Sequence, residues 1–305
     1  MIDKKEVKNG IAVYTVSPEY DQDKLEKRMN KFLKREDIKT IIDHDADVYT
    51  NDGKLLLRFR KKALTNKNVD DFYDNIIAFA KNVSSNRGST TGSKKKNILE
   101  NPKVMSNIFG FFDRWSPSHK VIFKRLGKTP DVTVRECRFN QDYPENYKKT
   151  IPLIKEIDEQ YSKLTPEQYK LQRKKANQTY FKIPGTSFTT ITTNVNFQTT
   201  IHTDKGDDDE GFGNLAVIER GKYDGGETCF PQYGLGVNVR TGDILFMDVH
   251  QPHANLPIVK ETDDTIRLSI VCYLRKNVWL RTKNRTRRFY ERHNKTVKNM
   301  RTIPK

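Results

Sequence analysis

The first half of the chain alternates between amphipathic segments and polar turns. Apolar residues recur every three or four positions in several segments, a spacing that buries one face of a helix. We therefore predict helices over residues 21–36, 69–83 and 144–162, and a further helix opening at Thr165-Pro166-Glu167 with proline in its first turn. Residues 55–60 follow the turn Asn51-Asp52-Gly53 and are predicted to form a strand.

The pattern changes at about residue 187, where short β-branched and aromatic runs are separated by Gly, Pro and Asp turns. These runs cover residues 188–197, 215–219, 235–239, 244–247 and 266–274. Closely spaced strands without intervening helices predict an antiparallel sandwich or barrel. The expected class is α+β, with N-terminal helices packed around a β-core at about 187–275.

Length and composition set the domain organisation. A chain of 305 residues with 35% hydrophobic residues is one full-sized domain with elaborations, or two domains at most. We predict an N-terminal extension with a charged helix at 1–50, the main domain at 51–275 and a basic tail at 276–305. Residues 84–93 have the Ser/Gly-rich composition of a flexible linker.

Several classes of protein are excluded by the sequence. The longest apolar runs are too short to cross a bilayer, and the first residues lack the apolar region of a signal peptide. Three widely spaced cysteines do not form a disulfide framework and indicate a reducing compartment. We expect an intracellular protein, cytoplasmic or nuclear, and the sequence carries no signal for its oligomeric state.

Positive charge is concentrated at the end of the chain. The sequence has 56 basic and 39 acidic residues, a net charge of +17, and residues 275–305 contain twelve Lys or Arg against Glu291. Basic residues interleaved with Trp279, Phe289 and Tyr290 suit a polyphosphate backbone and predict a nucleic acid, DNA in the first instance, as partner. The alternative is a solvated or targeting tail.

Candidate metal ligands lie within the predicted β-core. His202 and Asp204 are two positions apart, so on a strand or its edge both can face one ion. With His253 they provide the two imidazoles and one carboxylate of a non-haem Fe(II) site. His250 could replace His253, but His253 has the better motif context in His253-Ala254-Asn255. The other histidines (His44, His119 and His293) lie outside the β-core and are interpreted as surface or structural residues.

A candidate co-substrate site follows on the last predicted strand. Arg267 lies fourteen residues after His253, and Ser269 points to the same side of that strand. A buried guanidinium requires a partner. A bidentate pair with the distal carboxylate of 2-oxoglutarate, with Ser269 adding a hydroxyl, would satisfy it. The alternative for Arg267 is an ion pair with a carboxylate of the protein.

These motifs together resemble the TET/JBP branch of the 2-oxoglutarate and Fe(II)-dependent dioxygenases. The matching segments are Asn194-Val195-Asn196-Phe197, His202-Thr203-Asp204-Lys205-Gly206-Asp207, Gly225-Gly226-Glu227, Arg240-Thr241-Gly242-Asp243, His253-Ala254-Asn255 and Arg267-Leu268-Ser269. A weaker likeness upstream, at Arg87-Gly88 to Gly92, implies that the Ser/Gly stretch is an ordered loop near the site.

The resemblance implies a fold, a reaction and its cofactors. The fold would be a double-stranded β-helix of the jelly-roll or cupin type. The reaction would oxidise the 5-methyl group of thymine or 5-methylcytosine in nucleic acid. Fe(II) would be held by His202, Asp204 and His253, with 2-oxoglutarate on Arg267 and, less specifically, Ser269, and with O2 as the oxidant.

Two other readings remain open. Residues 225–231 also resemble prolyl 4-hydroxylases, although those enzymes typically use lysine where this chain has Arg267. A protein prolyl or lysyl hydroxylase is therefore one alternative, and a non-catalytic nucleic-acid-binding β-barrel is another. The acidic run at residues 207–210 would repel a polyanion, and we expect it to be a solvated loop directed away from the substrate.

Overall fold

The computed structural model describes residues 2–301, which form eight α-helices joined to three β-sheets. The helices are α1 (Gln22–Arg28), α2 (Asn66–Ala80), α3 (Pro117–Leu126), α4 (Arg138–Asp142), α5 (Pro144–Leu164), α6 (Pro166–Ala176), α7 (Lys276–Thr282) and α8 (Arg287–Arg301). None of the helices in this part of the chain combines the length and apolar character that crossing a bilayer requires.

The strands begin at the N-terminus and become frequent after α6. They are β1 (Ile2–Lys8), β2 (Ile11–Val16), β3 (Thr40–Ile42), β4 (Ala46–Thr50), β5 (Leu55–Arg60), β6 (Ser106–Phe112), β7 (Arg135–Glu136), β8 (Thr190–Val195), β9 (Gly213–Arg220), β10 (Tyr223–Gly225), β11 (Thr228–Phe230), β12 (Leu235–Val237), β13 (Ile244–Met247), β14 (Ala254–Asn255), β15 (Ile258–Lys260) and β16 (Ile266–Tyr273).

One large mixed sheet carries most of these strands. Its order is β1-β2-β4-β5-β13-β9-β16-β8-β6-β7, and a second sheet has the order β14-β11-β12-β3. Strands β10 and β15 pair separately. Most neighbours are antiparallel, but β2 pairs with β4 and β12 pairs with β3 in parallel. The α+β class is therefore confirmed.

Each face of the large sheet packs against a different layer. On one face, α2 and α5 contribute Phe72, Ile76 and Ile157 to an apolar cluster that also contains Phe246 and Ile270 of the sheet. On the other face, side chains of the small sheet pack against residues of β2, β4, β5, β9 and β13. The alternation of inward side chains along each strand lets one sheet serve both cores.

The N-terminal fifty residues differ from the expected extension. Strands β2 and β4 are part of the large sheet, and β4 pairs with β5, so a boundary at residue 50 falls between two paired strands. The helix predicted over 21–36 ends at Arg28, because the chain reaches a left-handed backbone at Asn30, with φ of 62°. Leu33, which completed the helical pattern, is buried from a loop instead.

The basic C-terminal segment is helical. Helices α7 and α8 pack Val278, Phe289 and Tyr290 against Phe111 and Phe181. The aromatic residues of this segment therefore stabilise the fold, while most of its basic residues between 285 and 298 remain exposed. The last residues of the predicted tail, 302–305, lie outside the described part of the chain.

Candidate metal centre and co-substrate pocket

His202, Asp204 and His253 converge on one point between the two sheets. One ligand atom from each side chain lies within 4.8 Å of the others. The Nε2 atoms of His202 and His253 lie 3.6 Å from the Oδ1 and Oδ2 atoms of Asp204, respectively. Two imidazoles and one carboxylate at this spacing are a donor set that a divalent metal ion fits.

The main chain fixes the two histidines relative to each other. His202 N donates to His253 O at 3.0 Å, and His253 N donates to His202 O at 2.9 Å. Asp204 N donates to the carbonyl of Val249, which follows β13, at 3.0 Å. The long sequence gap between the ligands is thus closed by a short antiparallel bridge next to β13 and β14.

The imidazole rings are oriented by backbone carbonyls behind them. His202 Nδ1 lies 2.7 Å from Thr200 O, and His253 Nδ1 lies 2.9 Å from Gln251 O. A protonated Nδ1 donating to a carbonyl leaves Nε2 with its lone pair directed at the metal position. Both rings therefore present the same nitrogen towards Asp204.

The electrostatics of the three groups favour a cation among them. Burial, with His253 close by, lowers the pKa of His202 to about 4, so its ring is neutral. Burial acts to raise the pKa of Asp204, but the hydrogen bond and charge of His253 outweigh it and hold that pKa well below its usual range. Burial acts to lower the pKa of His253, and contact with Asp204 raises it overall. The ionised Asp204 and the neutral His202 are in the state that metal binding requires, whereas a metal ion would compete with a proton for His253.

The remaining histidines are not part of this cluster. The ring of His250 points elsewhere, with Nε2 3.0 Å from Asp208 O. His44 bonds Tyr14, whereas His119 and His293 belong to a group of aromatic rings around Trp115. His253, and not His250, therefore lies in the cluster with His202 and Asp204.

A cavity of about 220 Å³ opens in front of the three residues. Its wall includes Arg267 and Ser269 from β16 and Arg87, Ser89 and Thr90 from the Ser/Gly-rich segment. The volume is below the roughly 300–1,000 Å³ typical of sites for drug-sized ligands, so the cavity suits a small organic acid. The segment that composition marked as a linker is an ordered wall, as the resemblance implied.

Arg267 is 4% exposed, and its guanidinium has few partners. Nη2 donates to Gly226 O at 2.7 Å, while Nε has no hydrogen-bond partner among the described residues. No described carboxylate forms an ion pair with Arg267: Glu219, whose charge acts on it, pairs with Arg240 instead. The alternative of a structural ion pair is therefore not what this part of the chain shows. Because a buried, under-satisfied guanidinium is costly, its environment calls for an anionic ligand.

Gly226 accepts a hydrogen bond from that guanidinium, and sequence reasoning gave it no role. Its φ is +74°, and a Cβ built there would lie 2.7 Å from Arg267 Nε. Only glycine combines the left-handed backbone with this close approach. The adjacent glycines 225 and 226 were the available signal, but Arg267, which bonds Gly226, lies 41 residues away in the chain.

A chain of hydrogen bonds connects Ser269 to the loop wall. Arg87 Nε donates to Ser106 Oγ at 2.8 Å, Ser106 Oγ donates to Asn194 Oδ1 at 2.5 Å, and Asn194 Nδ2 lies 3.3 Å from Ser269 Oγ. Residues 106, 194 and 269 are register partners on three adjacent strands, β6, β8 and β16. Ser269 therefore lines the cavity as one end of a polar row.

The acidic run at residues 207–210 was expected to be a solvated loop directed away from the substrate, and it is so only in part. Lys175 pairs with Asp208 at 2.6 Å and with Glu210 at 2.5 Å, and Lys276 pairs with Asp209. Two lysines, one on α6 and one on α7, thus offset part of the charge of these three carboxylates. Asp207 instead lines the cavity, and burial together with the nearby Asp204 charge raises its pKa well above the ordinary value.

The comparison with protein families identifies the domain. The Tet_JBP model, the oxygenase domain of the 2OGFeDO superfamily, matches residues 121–276, about half of the chain. The matched range contains the three candidate metal ligands, Arg267 and Ser269.

Relatives of known annotation are much longer proteins. The bifunctional helicase and thymine dioxygenase JBP2 of Leishmania braziliensis is 37% identical over 141 residues, covering 46% of this chain and 13% of that protein. Thymine dioxygenase JBP1 of Trypanosoma brucei brucei is 28% identical over 260 residues, covering 83% of this chain and 29% of that protein. The chain thus spans only a small part of the relatives that it matches.

A solved structure shares the fold. The structure of NgTET1 in complex with 5mC DNA matches with a TM-score of 0.53 at 12% identity, covering 90% of this chain and all of that chain. The family match, which implies Fe(II), 2-oxoglutarate and O2 as cofactors, places the chain in the Tet/JBP family of 2-oxoglutarate- and Fe(II)-dependent dioxygenases.

Proposed function

We propose that this chain is a 2-oxoglutarate- and Fe(II)-dependent dioxygenase that hydroxylates the 5-methyl group of thymine or 5-methylcytosine in DNA. The observation that carries the proposal is a cavity that contains both a His-Asp-His set and a buried guanidinium whose Nε has no hydrogen-bond partner among residues 2–301. A dioxygenase of this class needs one site for the metal and one for the far carboxylate of the co-substrate.

The residues that line the cavity fit both Fe(II) and 2-oxoglutarate. His202, Asp204 and His253 would hold Fe(II) on one face, which leaves positions open for the co-substrate and O2. Arg267 would pair with the distal carboxylate of 2-oxoglutarate, and Ser269 would add a hydroxyl donor. When bound, the iron supplies oxidative chemistry that hydroxylates an unactivated C–H bond at the expense of 2-oxoglutarate and O2.

The chain itself orients the two imidazole rings and the guanidinium and limits access of water to the cavity. The carbonyls of Thr200 and Gln251 hold the two rings, and the backbone bridge fixes their separation. Gly226 holds the guanidinium against the cavity wall. Walls from both sheets and from the Arg87–Thr90 loop limit the water around the reacting groups. We also propose that the two facing sheets form a double-stranded β-helix of the jelly-roll or cupin type.

Nucleic acid is the proposed substrate because the chain is strongly basic and lysines offset part of the charge of the acidic run. The net charge of +17 attracts phosphates, and three of the four carboxylates at 207–210 pair with lysines. A stacked base cannot enter a cavity between two sheets, so the target nucleotide must be unpaired or flipped out. The names of the related proteins favour thymine as the first base to test. With DNA as the substrate, we also propose that the protein acts inside the cell.

The deciding experiment is nucleoside mass spectrometry. The purified chain is incubated with Fe(II), 2-oxoglutarate and DNA containing thymine, with or without 5-methylcytosine, beside a His202→Ala control. We expect a 5-hydroxymethyl pyrimidine and stoichiometric succinate from the native chain only. Hydroxylated proline or lysine in offered peptides, with unmodified DNA, would instead identify a protein hydroxylase. DNA binding without succinate from either substrate would identify a non-catalytic binding protein.

A further inference from the structure

A short exposed segment projects from the rim of the cavity. Every residue from 94 to 100 is exposed, and the segment combines Lys94, Lys95 and Lys96 with two apolar side chains. Leu99 is 75% exposed and Ile98 is 44% exposed. The described part of the chain thus leaves Leu99 largely uncovered and Ile98 partly so, beside three lysines of which Lys95 lies 3.9 Å from Glu100.

One end of this segment is bonded to Gly88, and the other end lies beside Gly88 and is bonded to Ser85. At one end, Ser93 N donates to Gly88 O at 3.3 Å. At the other end, Asn101 Nδ2 lies 3.6 Å from the position of a Cβ on Gly88 and donates to Ser85 O at 3.1 Å. The neighbours of Gly88 in sequence, residues 87 and 89, both line the cavity. The segment therefore starts and ends at the cavity wall.

The wall beneath the segment is tied directly to the metal centre. Thr200 N donates to Thr90 O at 3.0 Å, and Thr200 Oγ1 donates to Ser89 O at 2.7 Å. The carbonyl of the same Thr200 lies 2.7 Å from His202 Nδ1. This connection gives the exposed segment a fixed base close to the position at which a target base would enter.

The chemistry of the segment matches a nucleic-acid duplex whose base has left the stack. Lysines neutralise phosphates, but phosphate binding alone gives no reason for an exposed leucine among them. Proteins that distort duplexes insert apolar side chains between base steps, which offsets the cost of unstacking. Base flipping creates a gap of this kind, at a cost of a few kcal/mol.

Building on the proposed function, we propose that Leu99 enters the duplex beside the flipped base, while Lys94, Lys95 and Lys96 hold the adjacent backbone. Ile98 extends the apolar surface on the same exposed segment. Leu99 would then determine whether the protein can use double-stranded DNA. A single strand, which has no stack to open, would not require it.

The test compares Leu99→Ala with Val121→Ala, a matched truncation of another exposed apolar residue, 69% exposed on α3. Hydroxylation is measured on a single-stranded oligonucleotide, on the matched duplex and on a duplex with a mismatch opposite the target base. For Leu99→Ala we expect kcat/KM on the matched duplex to fall about tenfold or more, with little change on the single strand. The mismatch, which weakens pairing of the target, should restore part of the loss. Val121→Ala should change none of the three.

A second variant separates the roles of charge and wedge. Replacing Lys94, Lys95 and Lys96 with alanine should weaken use of single strand and duplex together and reduce the dependence on salt. An unchanged duplex-to-single-strand ratio in Leu99→Ala, or native activity confined to single strands, would overturn the wedge while leaving the proposed function intact. Failure of the native chain to modify any of the three substrates would overturn the proposed function and the wedge with it.

Discussion

At the scale of single residues, the sequence pointed to the three residues that the fold brings together, but not to the backbone contact that supports Arg267. His202 and Asp204 are two positions apart, so strand geometry alone predicts that they face one ion. The contact between Gly226 and Arg267 depends on a carbonyl and on an absent Cβ, neither of which a residue pattern encodes. Asn194, which joins Ser269 to the loop wall, lies in the motif Asn194-Val195-Asn196-Phe197 but received no role, because a residue pattern does not encode its side-chain contacts.

Gly226→Ala should weaken binding of 2-oxoglutarate. The new Cβ would lie 2.7 Å from Arg267 Nε, so the guanidinium must shift away from its position in the cavity. We expect the KM for 2-oxoglutarate to rise about tenfold with a smaller change in kcat, as for a lost ground-state contact. Gly53→Ala is the matched control, because Gly53 has a φ of +82° and nothing within 4 Å of its Cβ position. Equal KM values in both variants would contradict the role given to Gly226.

Metal binding should be measurable without turnover. A ligand that binds only the folded state stabilises it, by about 2.7 kcal/mol at a hundred times its Kd. Adding Co(II) or Mn(II) in the absence of O2 should therefore raise the Tm of the native chain. His253→Ala should lose this shift, whereas His250→Ala should keep it, because the His250 ring bonds Asp208 O outside the cluster. A shift that disappears with His250→Ala instead would reverse the assignment of the third ligand.

At the scale of elements, the sequence predicted the bounds of two strands but not which residues of helix α1 and of the C-terminal segment would be buried. Strands β5 and β13 have the predicted bounds, since alternating or continuous apolar runs between turns leave few other options. Helix α1 is shorter than predicted, because a loop can bury Leu33 as well as a helix can. The basic end of the chain was interpreted as a tail, yet Val278 and Val297 within it are almost fully buried.

Asp113 is expected to anchor this C-terminal segment. It is 3% exposed and pairs with Arg275, and its Oδ2 accepts from Asn277 Nδ2 at 3.0 Å at the start of α7. Asp113→Asn leaves Arg275 without its buried counter-charge, so the free energy of unfolding should fall by about 3 kcal/mol in urea titrations near neutral pH. Asp224→Asn, at an exposed carboxylate, serves as the control.

The stability lost in Asp113→Asn should be largest at neutral pH and smaller in acid. Burial acts to raise the pKa of Asp113, but the hydrogen bond and charge of Arg275 outweigh burial and lower that pKa overall. A group with a lowered folded-state pKa contributes stability above its unfolded pKa, about 4 for Asp, and loses it as the pH falls further. The difference between Asp113→Asn and the native chain should be full at neutral pH and shrink in acid. A difference that stays constant down to low pH would exclude an electrostatic origin.

At the scale of the whole molecule, the hydrophobic pattern predicted the α+β class but not which strands pair with each other. Runs of helices followed by short strands indicated α+β, and the sheet order confirms that class. The parallel pairs β2–β4 and β3–β12 join segments whose partners are set by tertiary packing, which hydrophobic spacing does not report. Strands β1, β2 and β4 consequently joined the large sheet without any sequence signal for it.

The charge of the molecule should make turnover on DNA depend on salt. Each phosphate neutralised by lysine or arginine releases counterions, with a slope of roughly −0.9 per contact for duplex DNA in a plot of log affinity against log salt. We expect kcat/KM for a duplex to fall steeply as salt rises. Succinate formed without DNA should change little over the same range, which controls for effects on the co-substrate site. Salt-independent turnover of DNA would contradict a phosphate-bound substrate.

The reciprocal backbone bridge between residues 202 and 253 has a chemical consequence. Because amides and carbonyls rather than rings hold these two positions together, removing one ring leaves the frame in place and opens a ring-shaped gap. A small diffusible donor of the same kind can enter that gap. Free imidazole added to the His202→Ala protein should restore part of its affinity for the metal, a form of chemical rescue that a collapsed site would not permit.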